Sequence, residues 1–168
     1  MNSVEILKEE ILKAQKNGDI ASLYVLERRA HEVFDEDTLG SYYANILDLA
    51  LERLTDTLES HRAMDMEEVQ DFATLRALYE YAIENYSAGK ISDASALFEV
   101  LSGLSNSNEF SDALKIHALA SEKDISLDNF IDNIADLDAT SEAGTFYISC
   151  FKTKEAQKLL ENSQIDGE

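Results

Sequence analysis

Glu27 and His31 stand four residues apart, the spacing at which a carboxylate and an imidazole share one helix face and could ligate one metal. A di-metal helical bundle draws Glu-x-x-His pairs from several helices, and no second Glu/His pair with helical metal spacing accompanies this one. The two residues therefore read as a solvated ion pair or a helix-end contact. His61 falls where periodicity is weak, and His117 falls on an expected helix with no obvious partner. Cys150 is the single cysteine and has Tyr147, Ile148 and Phe151 around it in sequence. That setting suits a packed thiol, whereas a nucleophile would need an activating base. Asp124, Asp128 and Asp132 recur every fourth residue, a spacing that makes an exposed helical stripe and differs from an EF-hand loop with its central glycine. Nor is there a Gly-rich loop to cradle phosphate. The expectation is a non-catalytic chain with no metal and no cofactor, and a helical metal enzyme stands as the alternative from a different class.

The residues supply binding chemistry instead. Arg76, Tyr79, Ile83 and Tyr86 recur at spacings of three and four, so they share one helix face. Leu75, Leu78 and Ala82 form the opposing set, better placed for a core. Tyrosine offers apolar area together with a hydroxyl that can bond a peptide backbone. Tyr42, beside Tyr43, could extend such a groove, and because adjacent helix residues point about 100° apart one of the pair is expected to be buried. Arg76, Tyr79, Ile83, Tyr86 and Tyr42 are the expected partner-binding residues. The same tyrosines would also suit packing beneath the N-terminal helices.

Composition narrows the partner. In 168 residues, Asp and Glu number 34 against 14 Lys and Arg, a formal charge of -20, while 45% of residues are apolar. That is enough apolar content for one domain with a core. Phosphate backbones and anionic membrane surfaces both call for a basic face, so neither nucleic acid nor membrane insertion is expected. A basic or apolar polypeptide fits better, although the acidity could equally be a solvated surface. The N-terminus has neither a basic leader nor a long apolar run, and no stretch approaches the roughly 18 apolar residues of a membrane span. A cytoplasmic location is the expectation.

The elements that position these residues are helical throughout. Proline is absent, so nothing removes a helix donor. A first helix carries Val4, Leu7, Ile11 and Ala14 and ends at Asn17-Gly18. Asp19 caps a second, which runs to Phe34, and the acids at 35–37 favour the start of a third. Residues 59–68 read as a connector. A helical hairpin spans about 71–103, followed by helices at 109–121, 125–137, 145–151 and 154–162. The whole reads as one all-α domain over residues 1–162, with N-terminal helices at 1–58, repeats at 69–162, and a frayed tail at 163–168.

The hairpin has echoes. Gly18 and Gly89 lie 71 residues apart in similar contexts, about twice the 34-residue tetratricopeptide period. Leu78, Ala82, Gly89, Ala94, Phe98 and Leu101 occupy the positions of the tetratricopeptide pattern. With Tyr79, Tyr81, Tyr86 and Lys90 added, residues 78–101 resemble the first repeat of the tetratricopeptide chaperones of bacterial type III secretion, the class that holds translocator proteins. Residues 146–150 look like the aromatic-to-cysteine stretch that opens a late repeat in those chaperones. The resemblance implies hairpins stacked in a short right-handed solenoid with an N-terminal helical extension. It also implies a polypeptide client exported by a secretion or flagellar system, and a homodimer formed through the N-terminal helices. A structural tetratricopeptide adaptor in a stable assembly is the alternative.

Overall fold

The computed structural model describes residues 2–166, with the side chains of 162–166 left aside. Among the described residues the chain is all-α, with no β-strand. Helix ends follow local chemistry. The Asn2 side chain accepts from the Glu5 backbone N–H at 2.8 Å and opens α1, Ser3–Lys16. Gly18, at φ +63, closes it. Asp19 caps α2, Ile20–Val25, by accepting from Ser22 N–H at 3.0 Å. Asp35 caps α4, Glu36–Glu59, through Thr38 N–H at 2.8 Å. Between them the expected single second helix is broken at Leu26, and α3 covers Glu27–Val33. Beyond lie α5, Val69–Ser87; α6, Ile91–Leu104; and α7, Asn108–Glu122.

Tertiary contacts gather into two compact units, and the boundary falls inside α5, after Leu78. The segment 59–68, expected as a connector, lies within the first unit. That segment is tied into the first unit by Asp71, whose carboxylate accepts from Arg53 at 2.9 and 3.1 Å and from Asp65 N–H at 3.0 Å. Met64 is fully buried within the same segment. Elsewhere this unit's core is built from Leu7 and Ile11 of α1, Ile20 and Leu23 of α2, and Ile46, Ala50 and Leu54 of α4. Gln70 donates to Asp19 at 2.6 Å and accepts from Ala21 N–H at 3.2 Å, which fixes the start of α5 against α2. The Ser22 hydroxyl and the Gln70 amide, together with the Ser22 N–H, all donate to the Asp19 carboxylate and hold its pKa below the usual range.

The second unit contains the remainder of α5, with α6 folded back after Gly89 and α7 packed along α6. Gly89 has φ +82, a backbone that costs an L side chain roughly 1–2 kcal/mol. Gly89→Val is therefore expected to lower stability by about that amount, measurable as a shift in the urea midpoint. Ala82 and Ala94 are fully buried, as are Phe98 and Leu101. Ser126 caps α8, Leu127–Asn129, which continues as a π-turn over Phe130–Ile134 and stops short of the expected 137. Next comes α9, Leu137–Ala143, ended by Gly144 at φ +72.

Residues 145–151 do not form the expected helix. They run as irregular chain to an isolated antiparallel bridge between Ala135 and Phe151. Lys152 N–H donates to Ile134 O at 2.7 Å and Asp136 N–H to Cys150 O at 2.9 Å. The Thr140 hydroxyl takes the N–H groups of Ser149 and Cys150 at 3.3 and 3.1 Å. Aromatic and β-branched residues dominate this stretch, and they favour extended backbone. Finally, α10 covers Thr153–Asp166. The tail expected to fray from residue 163 is thus helical as far as 166, and residues 167 and 168 lie outside the described residues. No helix among the described residues is long and apolar enough to cross a membrane.

Candidate functional site

Tyr79, Tyr86 and Tyr42, expected on a binding face, are core residues. Tyr79 is 4% exposed. Its hydroxyl lies 2.8 Å from His117 Nε2 and accepts from Ile148 N–H at 3.0 Å. The Ala113 carbonyl, 2.7 Å from His117 Nδ1, can only accept, so Nδ1 carries the proton. Nε2 therefore accepts from Tyr79. The result is one directed chain, from Ile148 N–H through Tyr79 O–H and His117 to the Ala113 carbonyl. Phe98, Phe130 and Phe151 enclose the imidazole. Burial keeps His117 neutral, with its pKa pushed down to about 4, and raises the Tyr79 phenol well above its ordinary value.

Tyr86 donates to the Ile125 carbonyl, and burial pushes its pKa up to about 12. In the first unit, Tyr42 donates to the Leu23 carbonyl, and burial again raises its phenol pKa. Ile83 is half-buried. Residues 145–151 are what encloses Tyr79. They cover the face of α5 that an open repeat would present, placing Phe146 and Tyr147 edge-on to Tyr79.

The metal and nucleophile candidates have other partners. His31 Nε2 lies 2.7 Å from the Tyr43 hydroxyl, which donates to Glu27 at 2.5 Å. The second Glu27 oxygen takes Arg76 at 3.2 Å. Tyr43 therefore bridges the two residues that could have shared a metal. Among the described residues no three His, Cys, Asp or Glu side chains cluster as a metal site would require. Cys150 is half-buried, with its sulfur 3.7 Å from the Ser149 hydroxyl. Asp124 occupies a left-handed turn at φ +61, so it does not share a helical stripe with Asp128 and Asp132. In the second unit Glu122 of α7 sits against Glu99 of α6, whose carboxyl pushes the Glu122 pKa up to about 7.

Arg76 leads to a different site. Its guanidinium stacks 4.0 Å from the centroid of the Tyr24 ring while pairing with Glu27. It closes one end of an open groove of about 340 Å³ between α2 and the start of α5. Ala21, Tyr24 and Val25 form one wall, Val69, Phe72 and Ala73 the other, with Met66 and Glu67 at the opposite end. Val25 is 79% exposed, Val69 64% and Phe72 42%, although a large apolar side chain left in water forfeits about 1.5–3 kcal/mol of burial. Three together on one groove make a surface suited to another apolar chain.

This groove was partly legible. Val69, Phe72, Arg76, Tyr79, Ile83 and Tyr86 follow one another at spacings of three and four, so they form a single stripe along α5. The α5 residues expected to bind a partner lie on its C-terminal part, where packing buries the tyrosines. The exposed part lies two turns earlier, and extending the same periodicity back to Val69 would have reached it. The chain matches no family model, no curated protein and no solved structure.

Proposed function

We propose that this chain is a non-catalytic polypeptide-binding protein, a cytoplasmic chaperone that sequesters an export substrate of a type III secretion or flagellar system. The observation that carries the reading is the α2–α5 groove, where Val25, Val69 and Phe72 stand exposed between Arg76 and Glu67. The hairpin residues Leu78, Tyr79, Ala82, Gly89, Ala94 and Phe98, spaced in sequence as in tetratricopeptide chaperones, support the specific class. The mechanism is sequestration. An apolar client segment covers the groove, and a chain of net charge -20 keeps the complex in solution. No turnover and no cofactor are involved.

The test is co-purification of a translocator or flagellar subunit with the tagged chain, repeated with Val69→Asp/Phe72→Asp. Both positions are exposed, so the variant is expected to keep its far-UV circular dichroism while weakening the complex more than roughly tenfold. Unchanged binding by the folded variant would remove the groove from the function. A metal bound stoichiometrically to the purified protein would count for the enzyme reading instead. A partner that never leaves the complex would mark an adaptor.

A further inference from the structure

A second apolar strip lies on α4, away from the groove. Leu51 is 37% exposed and Leu58 51%. Seven residues apart, they project from one side of the helix, about 10 Å from each other along its axis. Ala44, seven residues before Leu51, is exposed on the same side.

One border of this strip is the buried row of Ile46, Ala50 and Leu54. The opposite border is acidic: Asp48, Glu52, Asp56 and Glu59 fall there by helical geometry, and all four are exposed. None of them forms an ion pair among the described residues. The one basic residue of α4, Arg53, projects from another side and pairs with Asp71 and Glu68. A second copy of this chain, itself at -20, would bring acid against acid, a juxtaposition that disfavours association.

We propose that this face of α4 docks an amphipathic helix of a partner protein whose apolar stripe is bordered by lysine or arginine. Leucine-sized side chains of the partner cover Leu51 and Leu58, and its basic border meets the carboxylate ridge. The ridge raises the rate of encounter and selects the partner by sign, and the leucines hold it.

The test uses two synthetic peptides of about 18 residues, long enough to hold helical structure. One carries leucines at heptad positions a and d with lysines beside them, and the other has glutamates in place of the lysines. Fluorescence anisotropy at low salt is expected to show binding of the lysine peptide alone. Leu51→Ser/Leu58→Ser, which leaves every charge in place, should weaken it at least roughly tenfold, and Val25→Ser/Val69→Ser in the groove should leave it unchanged. If the serines disturb the helix, Asp48→Asn/Glu52→Gln/Asp56→Asn/Glu59→Gln carries the test with the same expected loss and a flattened salt dependence. Undiminished binding by the folded leucine variant, equal binding of the glutamate peptide, or equal loss in the groove variant would overturn the proposal. So would a dimer of the parent chain that Leu51→Ser/Leu58→Ser turns into a monomer, since a second copy would then be the occupant. The outcome is independent of the groove assignment, because the two sites are changed by separate variants.

Discussion

His117→Ala is expected to lower the unfolding free energy by about 3–5 kcal/mol, a large share of the roughly 5–15 kcal/mol that a domain holds. Two losses combine. The imidazole is fully buried against Phe98, Phe130 and Phe151, so its removal leaves a cavity. It also deprives the buried Tyr79 hydroxyl of its acceptor, and an unmet buried polar group costs about 1–3 kcal/mol. Urea denaturation at neutral pH measures the sum. A loss below about 1 kcal/mol would mean that the polar chain through His117 contributes little.

The same residue sets an acid response. Its pKa is about 4 when folded against a model value of 6.5, so between those values the unfolded chain binds a proton that the folded chain excludes. Stability from this source is complete above pH 6.5 and is lost as pH falls towards 4, reaching about 2 kcal/mol by pH 5. Glu122 works the other way. Its folded pKa, about 7, lies above the model value of 4.5, so its contribution is complete below 4.5 and is lost as pH rises through 7. His117→Gln is expected to flatten the acid limb and leave the Glu122 limb in place.

Asp71→Ala is the second large effect, expected at about 3–4 kcal/mol because it leaves a partly buried cation without its main partner. The Asp71 side chain is 4% exposed and that of Arg53 29%. Glu68, 3.2 Å from Arg53, remains as a weaker partner and keeps the loss towards the low end. The change also removes the acceptor of Asp65 N–H. Amide hydrogen exchange across residues 60–68 should therefore accelerate more than exchange in α1. The exposed Arg28–Glu32 pair, with side chains 91% and 62% exposed, is the contrast, because solvent-screened pairs contribute about 0–1 kcal/mol. If both variants lost equal stability, burial would not be what gives Asp71 its weight.

How much of this was legible differs from one part of the chain to another. The caps at Asp19 and Ser126, the stop at Gly18 and the hairpin turn at Gly89 could be read directly, because each involves a side chain or dihedral acting within three or four residues. The helix break at Leu26 could not, since no glycine, proline or capping side chain announces it. Apolar spacing in residues 145–151 suits a helix. Aromatic and β-branched side chains pack as well from extended chain, and the Thr140 hydroxyl that receives Ser149 and Cys150 lies on another element.

By itself the sequence determined the all-α class, most helix ends, and a stripe from Val69 to Tyr86 along one side of α5. A period of 3.6 residues establishes that side chains share a face, and that is a local property. Which part of the face is covered depends on what the rest of the chain lays over it. Tertiary structure decided that Tyr79 and Tyr86 are enclosed by aromatic rings and backbone carbonyls distant in sequence, while Val69 and Phe72 remain open beside Tyr24 and Arg76. It also made 59–68 part of a packed unit, because the Asp71 carboxylate gathers Arg53 and Asp65 around it, and hydrogen bonds between separate segments leave no periodic trace in sequence.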